Sequence, residues 1–508
     1  MARRRRPMND PAPSSVGSHL ARGTAWGIVQ VGVQKCCGIA TYLAMAFLLE
    51  PSQLGAATLA VSLTAMMTLI YPGAAGDLVI QRRGDGPSTT SAATRLALLS
   101  GLSVVLLAAI ASPAIATWKS DTTLTLLVLV ASTRMLFEGL ASVPLAQARG
   151  RLEYGFVSVI ETATALLTVV LTVGFAVSGL GALSIVLAVA IAGASRVIAL
   201  TVLRPWPWRS PDGWLATRRL WPDFRAGGLQ HSLNGATQNI DYVMLGAFAS
   251  EAVLGVYAIA YQLASLVQVV FSFTIGLAAQ PLFSRMTADR ELQRSMYIET
   301  QAVGLAVSSL VALVTASLAQ VTLPWLLPPK WHAAGGLLTI LAFGFGLGSL
   351  QPIAQSLLRA NGEYSKALRL QIAATVVLGC GVLAGAWLDG ASGVAIAVAA
   401  ATAVMAVVHL ASSLPVPFRR SACSMAMRTW LCSVVSFAPA LMALVAHSRG
   451  WLPWAPIGSG SGLGLQVLLV LLGTWLWWML IARFQPQVQE RILAKLRSLA
   501  DRPSRSPS

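Results

Sequence analysis

Long apolar runs decide what this chain can fold into. Fourteen stretches of about 20 residues, each bounded by charge or by Pro/Gly breaks, cover 24–49, 54–76, 93–118, 124–148, 156–177, 182–203, 224–248, 253–283, 302–327, 333–358, 368–388, 391–414, 427–446 and 463–484. Hydrocarbon offers no water to an open backbone, so segments of this length cross a bilayer as helices. With 56% hydrophobic and 11% charged residues, the chain carries more apolar surface than a soluble domain buries. The sequence therefore predicts an all-α polytopic membrane protein of about fourteen transmembrane helices. Arg3 to Arg6 are followed by polar, Pro- and Ser-containing residues rather than an apolar run with a cleavage site, so the first apolar run reads as a retained span.

Positive charge orients these spans, because short cytoplasmic loops keep Lys and Arg and translocated ones lose them. With the N-terminus inside, 29 of the 36 basic residues fall on the inner side. Only Lys119, Lys330 and Arg449 fall outside, and four lie within or at the edge of spans. Both termini are expected in the cytoplasm of a bacterial inner membrane. The net charge of +17 is thereby dispersed over the inner turns and forms no basic groove, which argues against nucleic acid as a partner. The tail around 488–499 alternates Ile492, Leu493, Leu496 and Leu499 with Arg491, Lys495 and Arg497; an amphipathic surface helix and a solvated tail both fit. The five cysteines sit in or beside apolar runs without metal-ligand spacing, so neither a disulfide nor a metal site is expected. No cofactor is expected either: no P-loop occurs, and Gly344, Gly346 and Gly348 lie within an apolar helix, where they serve close packing. The run Gly458 to Gly462 reads as a flexible outer loop.

An internal echo divides the chain. Leu54-Gly55 follows Glu50 at the mouth of span two, and Leu254-Gly255 follows Glu251 at the mouth of span eight. Pro144-Leu145-Ala146-Gln147 runs on to Glu153-Tyr154, and Pro352-Ile353-Ala354-Gln355 runs on to Glu363-Tyr364. Each match is six spans apart, an even number, so the halves share one orientation and are related by an axis along the membrane normal. The expected organisation is a basic N-terminus (1–22), a six-helix lobe (23–203), a cytoplasmic linker (204–223) with Trp206, Trp208, Trp214 and Trp221 as headgroup anchors, a second six-helix lobe (224–415), two further helices (416–485) and a tail (486–508). Pro144 and Pro352 are expected to bend equivalent helices.

These features resemble the polysaccharide flippases of the O-antigen and exopolysaccharide type, within the multidrug/oligosaccharidyl-lipid/polysaccharide exporter superfamily. The resemblance rests on Arg22-Gly23-Thr24-Ala25-Trp26, the Leu-Gly turn into span two, Asp77 followed by Ile80-Gln81-Arg82-Arg83, and Gln238-Asn239-Ile240-Asp241-Tyr242-Val243-Met244-Leu245-Gly246 followed by Leu254-Gly255-Val256-Tyr257. It covers roughly residues 20–415. It implies two lobes around a cavity that opens alternately to each side and turns over an undecaprenyl-diphosphate-linked oligosaccharide. The partners it implies are that lipid-linked saccharide, membrane lipid, and polymerase and export proteins of the same pathway.

Ionisable residues at bilayer depth mark candidate sites, since each costs about 2.5–3.5 kcal/mol there. Lys35, Arg134 and Arg196 would form a cationic lining suited to a diphosphate, although Arg134 and Glu138 can neutralise one another at i, i+4 and Arg196 can snorkel to the inner surface. Span seven is polar along much of its length, and Asn234, Gln238 and Asn239 offer amides to sugar hydroxyls. Gln351 and Gln355 either join them or bind helix to helix. Glu138, Glu161, His231 and Asp241 are candidates for proton coupling. No catalytic set stands out. A polymerase or glycosyltransferase would need a large outer loop or an acidic metal motif, whereas a multidrug or cation antiporter of the same superfamily shares the architecture and is the alternative to a flippase.

Overall fold

The computed structural model describes residues 13–82, 86–204, 213–271, 279, 283–284, 286–287, 289–449, 451 and 460–500. Among these residues no strand occurs, and ten helices are long and apolar enough to cross a membrane. Trp206, Trp208 and the basic residues Arg3 to Arg6, Arg83, Arg209, Arg285, Arg502 and Arg505 lie outside the described residues.

The helices in order are α1 (Pro13–Leu48), α2 (Pro51–Met66), α3 (Ala74–Gln81), α4 (Pro87–Lys119), α5 (Thr123–Gly150), α6 (Tyr154–Val177), α7 (Leu183–Leu203), α8 (Gly213–Thr237), α9 (Ile240–Phe248), α10 (Glu251–Phe271), α11 (Arg290–Leu326), α12 (Ala334–Gly348), α13 (Leu350–Ala360), α14 (Tyr364–Ser412), α15 (Val416–Ser448), α16 (Gly460–Phe484) and α17 (Pro486–Ala500). Several predicted continuous spans are broken. Span two divides into α2, which ends at Met66, and α3, which begins at Ala74; the interval includes Tyr71-Pro72-Gly73, where proline removes a backbone donor. Span seven divides into α8 and α9 at Asn239, which has φ −127°. Span ten divides at Ser349, placing Pro352 in the first turn of α13, where its missing N–H removes no helical bond; Pro144 lies inside the continuous α5. Spans eleven and twelve meet at a kink at Asp389 and Gly390 within α14, Gly390 having φ +54°. The expected loop at 458–462 is helical from Gly460, with 458–459 outside the described residues. The tail forms α17.

The chain gathers into two compact units. The first comprises 1–41, 68–175 and 184–231, with a core of small and branched side chains from α3, α4 and α5 around Ala75, Leu96, Ala141 and Val143, closed by Phe224 of α8. The second comprises 42–67, 176–183 and 232–508. Its core includes Phe283, Tyr297, Ile353 and Leu410, and a further cluster of Leu313, Phe437, Trp477 and Ile481. Gly344 and Gly346 pack as expected, against Ala399 and Ala312.

Within the second unit, the Leu-Gly echo becomes a contact. A β-carbon on Gly55 of α2 would stand 1.8 Å from the carbonyl oxygen of Glu251, and one on Gly255 of α10 would stand 2.0 Å from the carbonyl oxygen of Pro51. The two motifs therefore meet each other reciprocally, as equivalent positions across a local two-fold do. Leu54 and Leu254 are fully buried beside them. Gly55→Ala and Gly255→Ala should each lower stability by about 1–3 kcal/mol, the cost of overpacking a site whose neighbour is backbone. Gly464→Ala in α16, where nothing lies within 4 Å, should be neutral or stabilising by up to about 1 kcal/mol. Thermal unfolding of the detergent-solubilised protein reads the difference.

Candidate functional site

The first unit collects the ionisable residues of α1, α5, α6 and α7. Glu161 and Arg196 each lie seven residues from the helix ends at Tyr154 and Leu203, about 10 Å along each axis. They meet as an ion pair, Nη1 to Oε1 at 3.2 Å, with side chains only 15% and 12% exposed. Arg196 is therefore held in the protein and does not snorkel; a carboxylate within reach outweighs the longer route to the surface. Gln34 Nε2 of α1 donates to the other oxygen of Glu161 at 3.2 Å, and Ser158 Oγ donates to the carbonyl of Trp26 at 3.2 Å, so α1 is pinned along α6. Lys35 follows Gln34 directly. It is exposed and makes no ion pair or hydrogen bond among the described residues.

Arg134 and Glu138 of α5 form the i, i+4 pair foreseen from their spacing, Nε to Oε2 at 3.6 Å. The second oxygen of Glu138 accepts a hydrogen bond from Tyr71 Oη. Tyr71 reaches it because the break in span two is nested between two glycines. A β-carbon at Gly139 of α5 would stand 2.5 Å from Pro72, and one at Gly228 of α8 would stand 2.4 Å from Ile70. The Tyr71 N–H donates to the carbonyl of Gly228 at 3.2 Å, and its ring lies 5.5 Å from that of His231. His231 Nε2 lies 2.8 Å from Asp77 Oδ2. The sequence reading missed both Gln34 and Tyr71, although Tyr71-Pro72-Gly73 inside an apolar run is a break signal.

Gln230 and His231 of α8 are exposed in the first unit; in the second, Asn234 of α8 and Gln238 in the break after it are exposed. Amide side chains facing acyl chains would be left without partners, so each of these exposed amides calls for water or a polar ligand. Asn239 differs: its Nδ2 donates to the carbonyl of Gly235 at 2.8 Å, closing the break between α8 and α9. Gln351 Nε2 donates to the carbonyl of Thr402 at 3.1 Å, which makes it helix-to-helix glue. In the second unit, Gln355 receives Arg359 Nη2 at 2.8 Å and donates to Gln371 at 3.2 Å; Gln371 continues to Thr237, which lies 2.6 Å from Thr375. Asp241, 2% exposed, accepts from Tyr257 Oη at 2.7 Å amid Tyr242 and Tyr261. Among the described residues no group of three or more His, Cys, Asp or Glu could hold a metal ion.

A family profile described as polysaccharide biosynthesis protein matches residues 44–336. The chain belongs to this family. No curated protein matches it by sequence. Among solved structures, the lipid II flippase MurJ in its inward closed conformation aligns with a TM-score of 0.70 at 11% identity, over 91% of this chain and 98% of that one. An inward-facing MATE multidrug resistance transporter of the MOP superfamily aligns with a TM-score of 0.58 at 15% identity, over 77% and 95%. A mutant of the Vibrio cholerae MATE transporter VcmN aligns with a TM-score of 0.51 at 14% identity, over 82% and 99%. At these identities the likeness is one of fold. This member of the polysaccharide biosynthesis family is thus a multi-pass helical membrane protein with the MurJ and MATE fold.

The Arg196–Glu161 and Arg134–Glu138 pairs of the first unit should respond differently to substitution. Arg196→Met strands the buried Glu161 and should cost about 3–5 kcal/mol, most of it recovered in the Glu161→Gln/Arg196→Met double variant. Arg134→Met, whose pair is 44% and 31% exposed, should cost under about 1 kcal/mol. Thermal unfolding of the four proteins, wild type included, gives the comparison.

Proposed function

We propose that the protein carries an undecaprenyl-diphosphate-linked oligosaccharide from the cytoplasmic to the outer leaflet of a bacterial inner membrane by alternating access, for polysaccharide export. The supporting observation is the charge balance of the first unit. Glu138 and Glu161 are each matched by an arginine, whereas Lys35, the residue after the Gln34 that bonds Glu161, makes no ion pair among the described residues. A cation kept at bilayer depth without a carboxylate is stabilised by water or by a visiting anion, and a diphosphate supplies that anion.

In this reading Lys35 meets the diphosphate first, and Arg134 adds to the attraction because its pair with Glu138 is half exposed. Arg196 contributes its field from its pair with Glu161. Asn234 and Gln238 exchange hydrogen bonds with sugar hydroxyls, with Gln355 as a further amide. Asn239 and Gln351 are engaged with backbone carbonyls and serve the helices. Glu138, Glu161, His231 and Asp241 are the groups available for proton coupling. The role is one of transport without bond-making, and both termini face the cytoplasm. The alternative, a multidrug or cation antiporter, draws on the same fold and on the buried Asp241.

Lys35→Ala and Arg134→Ala should each abolish polysaccharide export while the protein still accumulates in the membrane, with lipid-linked sugar retained on the inner leaflet. Normal export by both variants overturns the cationic role. Unchanged export together with altered dye efflux on deletion of the chain favours the antiporter.

A further inference from the structure

A groove of about 520 Å³ opens where residues 298–303 of α11 and 421–428 of α15 meet the junction of α16 and α17. It lies within the second unit and contains none of the candidate transport residues. Its floor is fixed by Gln485: Thr429 Oγ1 donates to Gln485 Oε1 at 2.9 Å, and Gln485 Nε2 donates to the carbonyl of Met425 at 3.1 Å. Gln485 is 8% exposed, so α15 and the end of α16 are tied by bonds shielded from water. Val488 and Ile492 of α17 pack onto the cluster of Ala302, Phe437 and Trp477 and hold the amphipathic helix over the groove. The cavity is therefore built in advance of any occupant.

Its charges are few and unbalanced. Arg491 of α17 is paired with Glu299 of α11 at 2.7 Å. Arg428 of α15 lines the same groove, is exposed, and makes no ion pair or hydrogen bond among the described residues. Two cations against one acid leave one positive charge, flanked by Ser421 and Ser424. Beside Arg428 begins an apolar stripe, Met427, Leu431 and Val435, exposed at successive i+4 positions along α15; Trp475 and Met479 of α16 are likewise exposed. A single uncompensated guanidinium with hydroxyls at the mouth and two exposed apolar helix faces beyond it matches a molecule with one anionic phosphodiester and two acyl chains.

The geometry points to this groove as a binding site for an anionic membrane phospholipid, its phosphodiester on Arg428 and its chains along α15 and α16. A zwitterionic lipid fits less well. Its ammonium would need Glu299, which Arg491 already occupies, and the net positive charge would stay unneutralised. An anionic headgroup instead competes with Glu299 for Arg491, so the lipid also bears on how α17 is held.

Native mass spectrometry of the full-length protein with added dioleoyl phosphatidylglycerol tests this. The wild type should retain one phosphatidylglycerol in preference to phosphatidylcholine of the same chains. Arg428→Gln should weaken retention about tenfold, the scale of one charge-assisted phosphate contact. Glu299→Gln should strengthen it, because Arg491 is released to the headgroup; a merely structural role for this pair predicts no gain. Equal retention of the two lipids, or unchanged retention by Arg428→Gln, overturns the site. Displacement of the lipid by inorganic phosphate reassigns the groove to a free anion and overturns it too, and tighter retention of a polyprenyl diphosphate assigns it to the transport substrate with the same consequence. If Arg428→Gln does not accumulate as a folded protein, Glu299→Gln decides: tighter retention supports the site, and unchanged or weaker retention overturns it.

Discussion

An ionised side chain among acyl chains costs several kcal/mol unless an opposite charge or water accompanies it. The interior of the first unit is arranged around that constraint. Arg196 and Glu161 satisfy each other, with Gln34 filling the second oxygen of the carboxylate. Arg134 and Glu138 do the same along one helix face, and Tyr71 completes the set. The break in span two exists in a form that only close backbone approach permits, between Gly139 and Gly228, and its consequence is the placement of Tyr71 on Glu138. Lys35 makes no such pair among the described residues, and a cation of this kind needs water or an anion nearby.

A second constraint is the close crossing of helices. In a membrane, association rests on packing and polar bonds, since lipid chains are as apolar as leucine. The reciprocal contact of Gly55 and Gly255 with the carbonyls of Glu251 and Pro51 lets α2 and α10 approach to backbone distance. Elsewhere hydroxyls and amides do the joining, as in Ser308 with Ser349, Ser309 with Ser433, and Gln466 with the carbonyls of Ser317 and Ala440. Such bonds fix a register that hydrophobicity alone leaves free.

The helical membrane class was legible because apolar length is a one-dimensional property. The Arg134–Glu138 pair was legible because four residues are about one helical turn. The Leu-Gly echo was visible as a repeat, but not as a contact, because the crossing partner of Gly55 lies two hundred residues on. Pairing of Arg196 with Glu161 joins two helices, and no spacing along the chain announces it. The breaks at Tyr71-Pro72-Gly73 and at Asn239 escaped a reading by average hydropathy, which smooths over a few residues of turn. Asn239 read as a ligand amide and Gln351 as either a ligand amide or a bond between helices; the structure gives each side-chain N–H a backbone carbonyl, a pairing that no spacing along the chain announces.

The account depends on water reaching Lys35. In a background with all five cysteines replaced, Lys35→Cys and Val170→Cys can each be exposed to a membrane-impermeant maleimide in intact and inverted vesicles. Val170 of α6 is an exposed apolar side chain and serves as the lipid-facing control. Labelling at position 35 from at least one side of the membrane, with none at position 170, is the expected result. Absence of labelling at both positions from both sides would place Lys35 out of reach of water and contradict the account.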